Sequence, residues 1–270
     1  MKVVYQLDGL IRGKVIHRPS KQCRSPYVAD VSINDHIYMV HAPSLGCGGY
    51  SDTGQWVYMT KHDNPKKCSH VIHLAERHEK NTIYLVGIHP KSAEQIVHIC
   101  LQNGFIYSLE NVTNIEREKC FLNSRFDFIC RDKNNKMTII EVKNVPCADY
   151  EDMPSKERKK HDFSHRDVNT KVAYFPDGYR KTKNETISPR ALKHIQELEE
   201  LKNQNSDIRC ILIFVIQRID VKIFQASVVD ILYRKALQKA FKNGVEIIPI
   251  QVYWNNEGQC IYNKTIPFRY

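Results

Sequence analysis

Asp127 on one β-rich run, with Glu141 and Lys143 on the next, are the residues of this chain whose types and spacing could do chemistry. They lie in SRFDFICRDKNNKMTIIEVKNV, where the central DKNN is turn chemistry. A loop of Lys133, Asn134 and Asn135, with Asn135 at positive φ, sets Asp132 across from Lys136 and Asp127 directly opposite Glu141. Side chains paired in this way share a face, with Cβ atoms roughly 5 Å apart. Lys143 shares that face and Arg125 sits opposite it. Val142 points away into the core, although its carbonyl could add a ligand. Two carboxylates can hold one Mg2+ or Mn2+ through hard oxygen ligands. Such a cation binds a scissile phosphate and lowers the pKa of an attacking water. The expected metal set is therefore Asp127, Glu141 and the Val142 carbonyl, with Lys143 holding the water or neutralising developing charge.

A two-residue Asn134-Asn135 turn would instead pair Asp127 with Val142 and dissolve the arrangement, because a slip of one residue flips every side chain to the other face. Glu-x-Lys on a strand is also a common solvent-facing pattern. The setting lifts this instance above that reading. Phe126, Phe128, Ile140 and Val142 alternate with the polar set. Further on, ILIFVIQ is a continuous apolar run, as in a strand buried on both faces. It ends abruptly in Gln217-Arg218, and groups that face a ligand often sit at such strand ends.

The elements around these residues can be read as well. Residues 1–82 read as short strands, VVYQL, KVIH, YVADVSI, HIYMVHA and WVYMTK, separated by turn residues such as Asn34-Asp35 and the glycines of 46–49. That spacing suggests a small barrel or sandwich, whose Tyr27, Tyr38 and Tyr58 could stack on unpaired bases. From residue 83 helices join the strands. After TIYLVGI, Ser92 and Gln95 read as a capping box and Gly104 as the helix stop. Ser188, with Pro189 at the first helical position, opens a second helix whose buried face is Leu192, Ile195, Leu198 and Leu201. DILYRKALQKAFKNG is a third, stopped by Gly244, and VEIIPIQVYW is a last strand. Residues 146–171, with KERKKHDFSHR, read as a mobile basic loop carrying Lys159 and Lys160. Those two lysines, Arg125, Arg218 and the helical pair Lys193-His194 are the candidate phosphate contacts.

Forty Lys+Arg against thirty Asp+Glu give a formal net charge of +10, which favours polyanionic partners, with RNA, DNA and an anionic membrane competing for that reading. The longest apolar run, residues 211–216, has the length of a strand and not of a membrane span. The opening MKVVYQLDGLIRGKVIHR lacks the apolar centre and cleavage site of a signal peptide. Nine cysteines, odd in number and without a CxxC pair, suit free thiols in a reducing, cytoplasmic compartment. Cys68, His70 and His73 raise structural zinc, but on a strand the two histidines would face opposite sides. HAPSLGCGGY offers main-chain amides to a phosphate without any Walker pattern. No G-x-S-x-G elbow supports a serine hydrolase.

In chain order YVADV, HAPSLG, NPKK, LVGI followed by a helix, SRFDF, EVKNV, YFPDG, SPRALKHI, FVIQRIDVKIF and NGVEII resemble the sugar fermentation stimulation protein A (SfsA) family over nearly the whole chain. EVKNV together with FVIQR and its downstream aspartate is the specific part. The resemblance implies an OB-fold-like N-terminal domain, a C-terminal domain of the PD-(D/E)xK nuclease-like fold, DNA binding, and a nuclease role inferred from that fold. It matches Asp127, Glu141 and Lys143 to the D…ExK signature, Gln217 to its trailing glutamine, and Glu118 to the acidic position before SRFDF. The chain departs from the family where Ser44-Leu45-Gly46 stands for asparagine-threonine-glycine, where Ala191 stands for a glycine, and in insertions on either side of YFPDG. It reads as a divergent member.

The expectation is an α+β, two-domain protein, with an OB-fold-like β-barrel over residues 1–82 and an α/β PD-(D/E)xK nuclease-like domain over 83–270. It would bind and hydrolyse DNA, single- or double-stranded, with Mg2+ or Mn2+, and would not associate with membranes. Asp127, Glu141, Lys143 and Gln217 form the catalytic set. A non-enzymatic DNA-binding regulator that keeps the fold is the alternative, and an RNA-processing factor is a third reading. Nuclease folds of this kind often act as homodimers when both strands are cut.

Overall fold

The structure is a computed structural model. It describes residues 1–270 except Gly46, Asn64, Lys66, Leu122, Asn123, Lys159, 179–181, Lys183, Asn184 and Tyr270, and only the backbone of Ser155 and Lys156. The chain runs β1 (Lys2–Gln6), β2 (Ile11–His17), β3 (Val28–Ile33), β4 (His36–His41), β5 (Trp56–Lys61), β6 (His70–Glu79), β7 (Thr82–Gly87), α1 (Pro90–Gln102), β8 (Val112–Phe121), β9 (Ser124–Asp132) and β10 (Met137–Val145). It continues β11 (Ala148–Asp149), α2 (Ser155–Arg158), β12 (Val172–Phe175), α3 (Pro189–Gln204), β13 (Arg209–Ile216), β14 (Ile223–Ala226), α4 (Ile231–Lys242), β15 (Glu246–Trp254), β16 (Gln259–Thr265) and β17 (Phe268–Arg269).

A seven-stranded mixed sheet, in the order β1-β16-β15-β13-β10-β9-β8, forms the centre of the α/β part. The continuous apolar run forms β13, parallel to β10 on one side and β15 on the other. Its residues alternate between two cores, which is why no polar position interrupts it. Ile211, Ile213 and Val215 pack on the side of α1, with Ala93, Ile96 and Val97. Cys210, Leu212, Phe214 and Ile216 pack on the side of α3 and α4, with Ile195, Leu198, Tyr233 and Leu237. A four-stranded sheet, β11-β12-β14-β17, contributes Ala173 and Phe224 to that second core.

The third sheet has the order β4-β3-β2-β5-β6-β7, and β4 also pairs in parallel with β6 through Val40 and His41. The pairings therefore close a circuit through β2, β3, β4, β6 and β5 around Val15, Val31, Val57, Met59 and Ile72. Asn34 and Asp35, both at positive φ, make the two-residue turn between β3 and β4. Sheet membership does not divide at residue 82. β1 pairs with β16 in the seven-stranded sheet, and β7 pairs with β6 in the six-stranded one.

Most helix ends fall where local residues place them. Ser188 caps α3 through its Oγ, which accepts from the Ala191 N–H, and Pro189 occupies the first turn. α1 ends at Asn103 and Gly104, with the Gly104 and Phe105 N–H groups reaching the Leu101 and Cys100 carbonyls, and Gly104 takes φ +61°. Its start differs from expectation. The cap residue is His89, Pro90 lies in the first turn, and Ser92 is buried inside the helix. Proline lacks the N–H that a cap would satisfy and has the helical φ built in, so the helix begins three residues earlier than the serine signal suggests. The 146–171 stretch is also more structured than a loop. It contains β11, α2 and buried Ala148, Asp149 and Tyr150. Among the described residues no helix is long and apolar enough to cross a membrane.

Candidate metal centre

The hairpin of β9 and β10 takes the three-residue loop. Asn135 adopts φ +60°, and one Asp132 carboxylate oxygen accepts from the Asn134 and Lys136 N–H groups at 2.8 and 2.9 Å. This local hydrogen bonding sets the register, Met137 with Arg131 through Ile140 with Phe128. The ladder ends there, one step before Asp127 and Glu141. In this register the Val142 N–H would next meet the Phe126 carbonyl. Instead Asp127 Oδ2 accepts that N–H, at 2.7 Å. Phe126 and Phe128 then part company, the first packing on the α3 side and the second on the α1 side. The strict alternation read from the sequence therefore breaks at Asp127. On its other flank, Glu118 of β8 takes φ +53° between the Arg117–Phe128 and Lys119–Phe126 pairs.

Glu141 is buried at 2% exposure in the middle of β10. Its Oε1 receives both Lys143 Nζ and His194 Nδ1, and those two nitrogens lie 3.5 Å apart. His194 projects from α3 onto the strand and donates through Nδ1, the tautomer that a carboxylate acceptor requires. Burial alone would raise the Glu141 carboxyl, but Lys143 and His194 together hold it below the usual carboxylate range. Asp127 goes the other way. Burial first, and the Glu141 charge second, push it up to about 7 against a single main-chain donor.

Asp127, Glu141 and Lys143 line a cleft of about 530 Å³, which Tyr27, Ser44 and Leu45 of the six-stranded part line as well. Pro90 at the start of α1 and Ser188 and Arg190 at the start of α3 also face it. Neither helix has an acidic residue in its first turn, so two positive dipole ends meet the cleft. Glu94, on α1, adds a third carboxylate that sequence reasoning missed. Burial, then the charges of Glu118 and Glu141, raise its pKa. The available signal was an acidic residue bordering the buried face of Ala93, Ile96 and Val97.

As they stand, the described side chains do not gather three or more His, Cys, Asp or Glu as metal ligands. Glu141 Oε2 nevertheless is buried without a hydrogen-bond partner. Glu141 Oε1 and Asp127 Oδ2 are engaged, which leaves one oxygen of each carboxylate and the Val142 carbonyl as hard donors for a divalent cation. The residues present fit a hard divalent cation.

The other sequence candidates fare unequally. Gln217 is fully buried behind the cleft, donating to Asn144 Oδ1 at 2.8 Å and accepting from Trp254 Nε1 at 2.9 Å. Gly87 is required beside it, since a Cβ there would lie 1.9 Å from Gln217 Oε1. Arg218 cannot meet a phosphate. It has no exposed surface and is held by Asp220, Tyr50 and the Pro146 carbonyl. His194 is likewise turned inward to Glu141 and is not a surface contact. The reason is the same for both: a buried carboxylate needed a donor, and that outweighs exposure. Arg125 is exposed and pairs with Glu118 at 3.3 Å. Lys193 is exposed and pairs with Glu197 at 3.5 Å. Lys160 is exposed, and Lys159 lies outside the described residues. Tyr58 is engaged with Glu76 at 3.2 Å, and Tyr38 sits edge-on to His70, whereas Tyr27 faces the cleft.

Residues 91–161 and 163–258 match the family model described as "Sugar fermentation stimulation protein RE domain". A sugar fermentation stimulation protein homolog of Bartonella tribocorum is 29% identical over 237 residues, covering 86% of each chain. One of Pelagibacter ubique is 29% identical over 252 residues, covering 92% of each. The structure of Pyrococcus furiosus SfsA, solved in complex with Ca2+, superposes with a TM-score of 0.76 at 18% identity and covers 100% of both chains. That last likeness is one of fold.

Proposed function

This chain belongs to the sugar fermentation stimulation protein family, and we propose that it is a DNA-binding, divalent-cation-dependent nuclease with its centre at Asp127, Glu141 and Lys143. The observation that carries this reading is the pair of under-compensated carboxylates on one cleft: Glu141 Oε2 is buried without a donor, and Asp127 is forced toward neutrality. A cation between them would satisfy both. The Ca2+ bound to the Pyrococcus furiosus protein supports a hard divalent ion, and Mg2+ or Mn2+ is the working choice. The +10 charge and the two helix N-termini on the cleft support a polyanionic substrate.

In this reading Asp127, Glu141 and the Val142 carbonyl hold the cation, which would supply Lewis acidity toward the phosphate and an activated water. His194 is a positioning residue that fixes the Glu141 carboxylate. Lys143 shifts from Glu141 toward the reacting phosphate to neutralise developing charge. Gln217 acts at one remove, fixing Asn144 next to Lys143. We read the closed circuit of strands as an OB-fold-like barrel that guides the nucleic acid, and the seven-stranded part as PD-(D/E)xK-like. In this reading the domain division moves from 82–83 to after Gly87, so that β7 stays with the first domain, and β1 joins the second. Nine free cysteines suit a reducing compartment.

A second reading, a DNA-binding regulator without catalysis, is favoured by the fact that Lys143 and His194 already occupy Glu141 Oε1. Purified protein incubated with plasmid, single-stranded DNA and RNA, in Mg2+, Mn2+ or EDTA, separates the two. Cation-dependent cleavage is expected. Binding without cleavage under any cation would select the regulator, and preference for RNA in competition would select an RNA-processing role.

A further inference from the structure

We propose that the cleft takes an unpaired nucleotide, with its base stacked on Tyr27 and its phosphate at the Asp127–Glu141 centre. This rests on the nuclease reading above for the phosphate, and adds the substrate class. Tyr27 is 44% exposed and Leu45 54% exposed, and both line the same cleft as the carboxylates. An aromatic ring and a leucine left bare beside buried acids are a poor solvent surface, but a suitable one for the flat face of a base.

The platform is held rigidly. Arg18, whose side chain is only 8% exposed, donates from Nε to the Pro26 carbonyl at 3.0 Å and from Nη2 to the Ser44 carbonyl at 2.6 Å. It therefore ties together the residues just before Tyr27 and just before Leu45. The Tyr27 carbonyl in turn accepts from the Ala42 N–H at 2.8 Å. These bonds fix the main chain that carries Tyr27 and Leu45, so little backbone ordering remains to be done on binding. A cleft of about 530 Å³ is the size that encloses a small ligand. In a duplex both faces of each base are covered by the stack, so only a single strand or a flipped base presents a face to Tyr27.

The test is fluorescence anisotropy in EDTA, where a cation plays no part. It uses a 20-nucleotide DNA strand, its duplex and the RNA strand, with 2-aminopurine placed at successive positions. Wild type should bind the single strand more tightly than the duplex and quench 2-aminopurine. Tyr27→Ala should lose about tenfold in single-strand affinity and the quenching, with less than a twofold change for duplex, within the range expected of base–aromatic stacking. Tyr27→Phe should retain both. Equal losses on strand and duplex, or quenching that survives Tyr27→Ala, would overturn the stacking role. Cation-dependent cleavage, measured separately, would then still stand. RNA bound as tightly as DNA supports the proposal for any unpaired nucleotide. If no nucleic acid binds in EDTA, the stacking role falls, and cation-dependent cleavage alone decides the nuclease reading.

Discussion

The protein buries charge in two places, and the two are built in opposite ways. Around Arg218, carboxylates and cations are matched. Asp220 accepts two Arg218 donors at 2.6 Å each and Lys171 at 3.3 Å, while Lys171 also pairs with Glu79 at 2.5 Å. Tyr50 from the six-stranded side closes the network on Arg218. Burial alone would raise Asp220, but Arg218 and Lys171 drive it down to about 2. At the cleft, Asp127, Glu141 and Glu94 gather around Lys143, with His194 bonded to Glu141 from inside the fold, and Asp127 rises to about 7. A matched network ties the two parts of the molecule together. An acid-rich one stores unfavourable charge that a cation would relieve. The contrast separates buried charge that holds the fold from buried charge suited to chemistry.

Breaking the matched network should have the largest effect. Arg218→Met leaves Asp220 and Tyr50 without their principal donor, and urea unfolding should show a loss of ~3–5 kcal/mol. A loss below ~1 kcal/mol would mean that the network is not what joins the parts. The same experiment on Asp127→Asn should show no loss in EDTA, because that change removes a repelled charge.

Catalysis should show the reverse pattern. Asp127→Asn and Glu141→Gln should each reduce cation-dependent plasmid cleavage by at least ~100-fold while binding in EDTA is kept or improved. If wild type cleaves and Asp127→Asn cleaves equally well, the centre lies elsewhere.

The two clusters should also respond oppositely to pH. Asp127 has a folded pKa above its unfolded value, so its contribution is fully present below about pH 4 and is lost as pH rises through about 7. Asp220 has a depressed pKa, so its contribution is present above pH 4 and is lost as pH falls toward about 2. In EDTA, stability curves of wild type and Asp127→Asn should therefore converge below about pH 4 and separate as pH rises from about 4 to about 7, with the mutant the more stable at neutral pH. Added Mg2+ should flatten the wild-type curve. Parallel curves across this range would refute the assignment of the shift to Asp127.

The smallest effect concerns surface charge outside both clusters. Lys193→Ala should lower the slope of log affinity against log salt on duplex DNA by about 0.9 if Lys193 meets one phosphate, with little change in stability. An unchanged slope would take Lys193 out of the interface.

The family, the β9–β10 register and most helix ends were legible in the sequence, because each depends on neighbouring residues. Asp132 accepts from the N–H groups of Asn134 and Lys136, and Asn135 takes a positive φ, so the loop sets the pairing as far as Ile140 with Phe128, whereas at Asp127 the ladder gives way to a side-chain bond to the Val142 N–H. Ser188 capped by its own first turn and Gly104 ending α1 are equally local. The tertiary structure decided the rest. His194 and Arg218 look like surface cations in sequence, yet Glu141, 53 residues from His194, and Tyr50, 168 residues from Arg218, draw them inside. β1 leaves its sequence neighbours to pair with β16 at the far end of the chain. Only that assembly gives Asp127 and Asp220, the same side chain, pKa values of about 7 and about 2, because a carboxyl's pKa follows the charges packed around it and those arrive from distant parts of the chain.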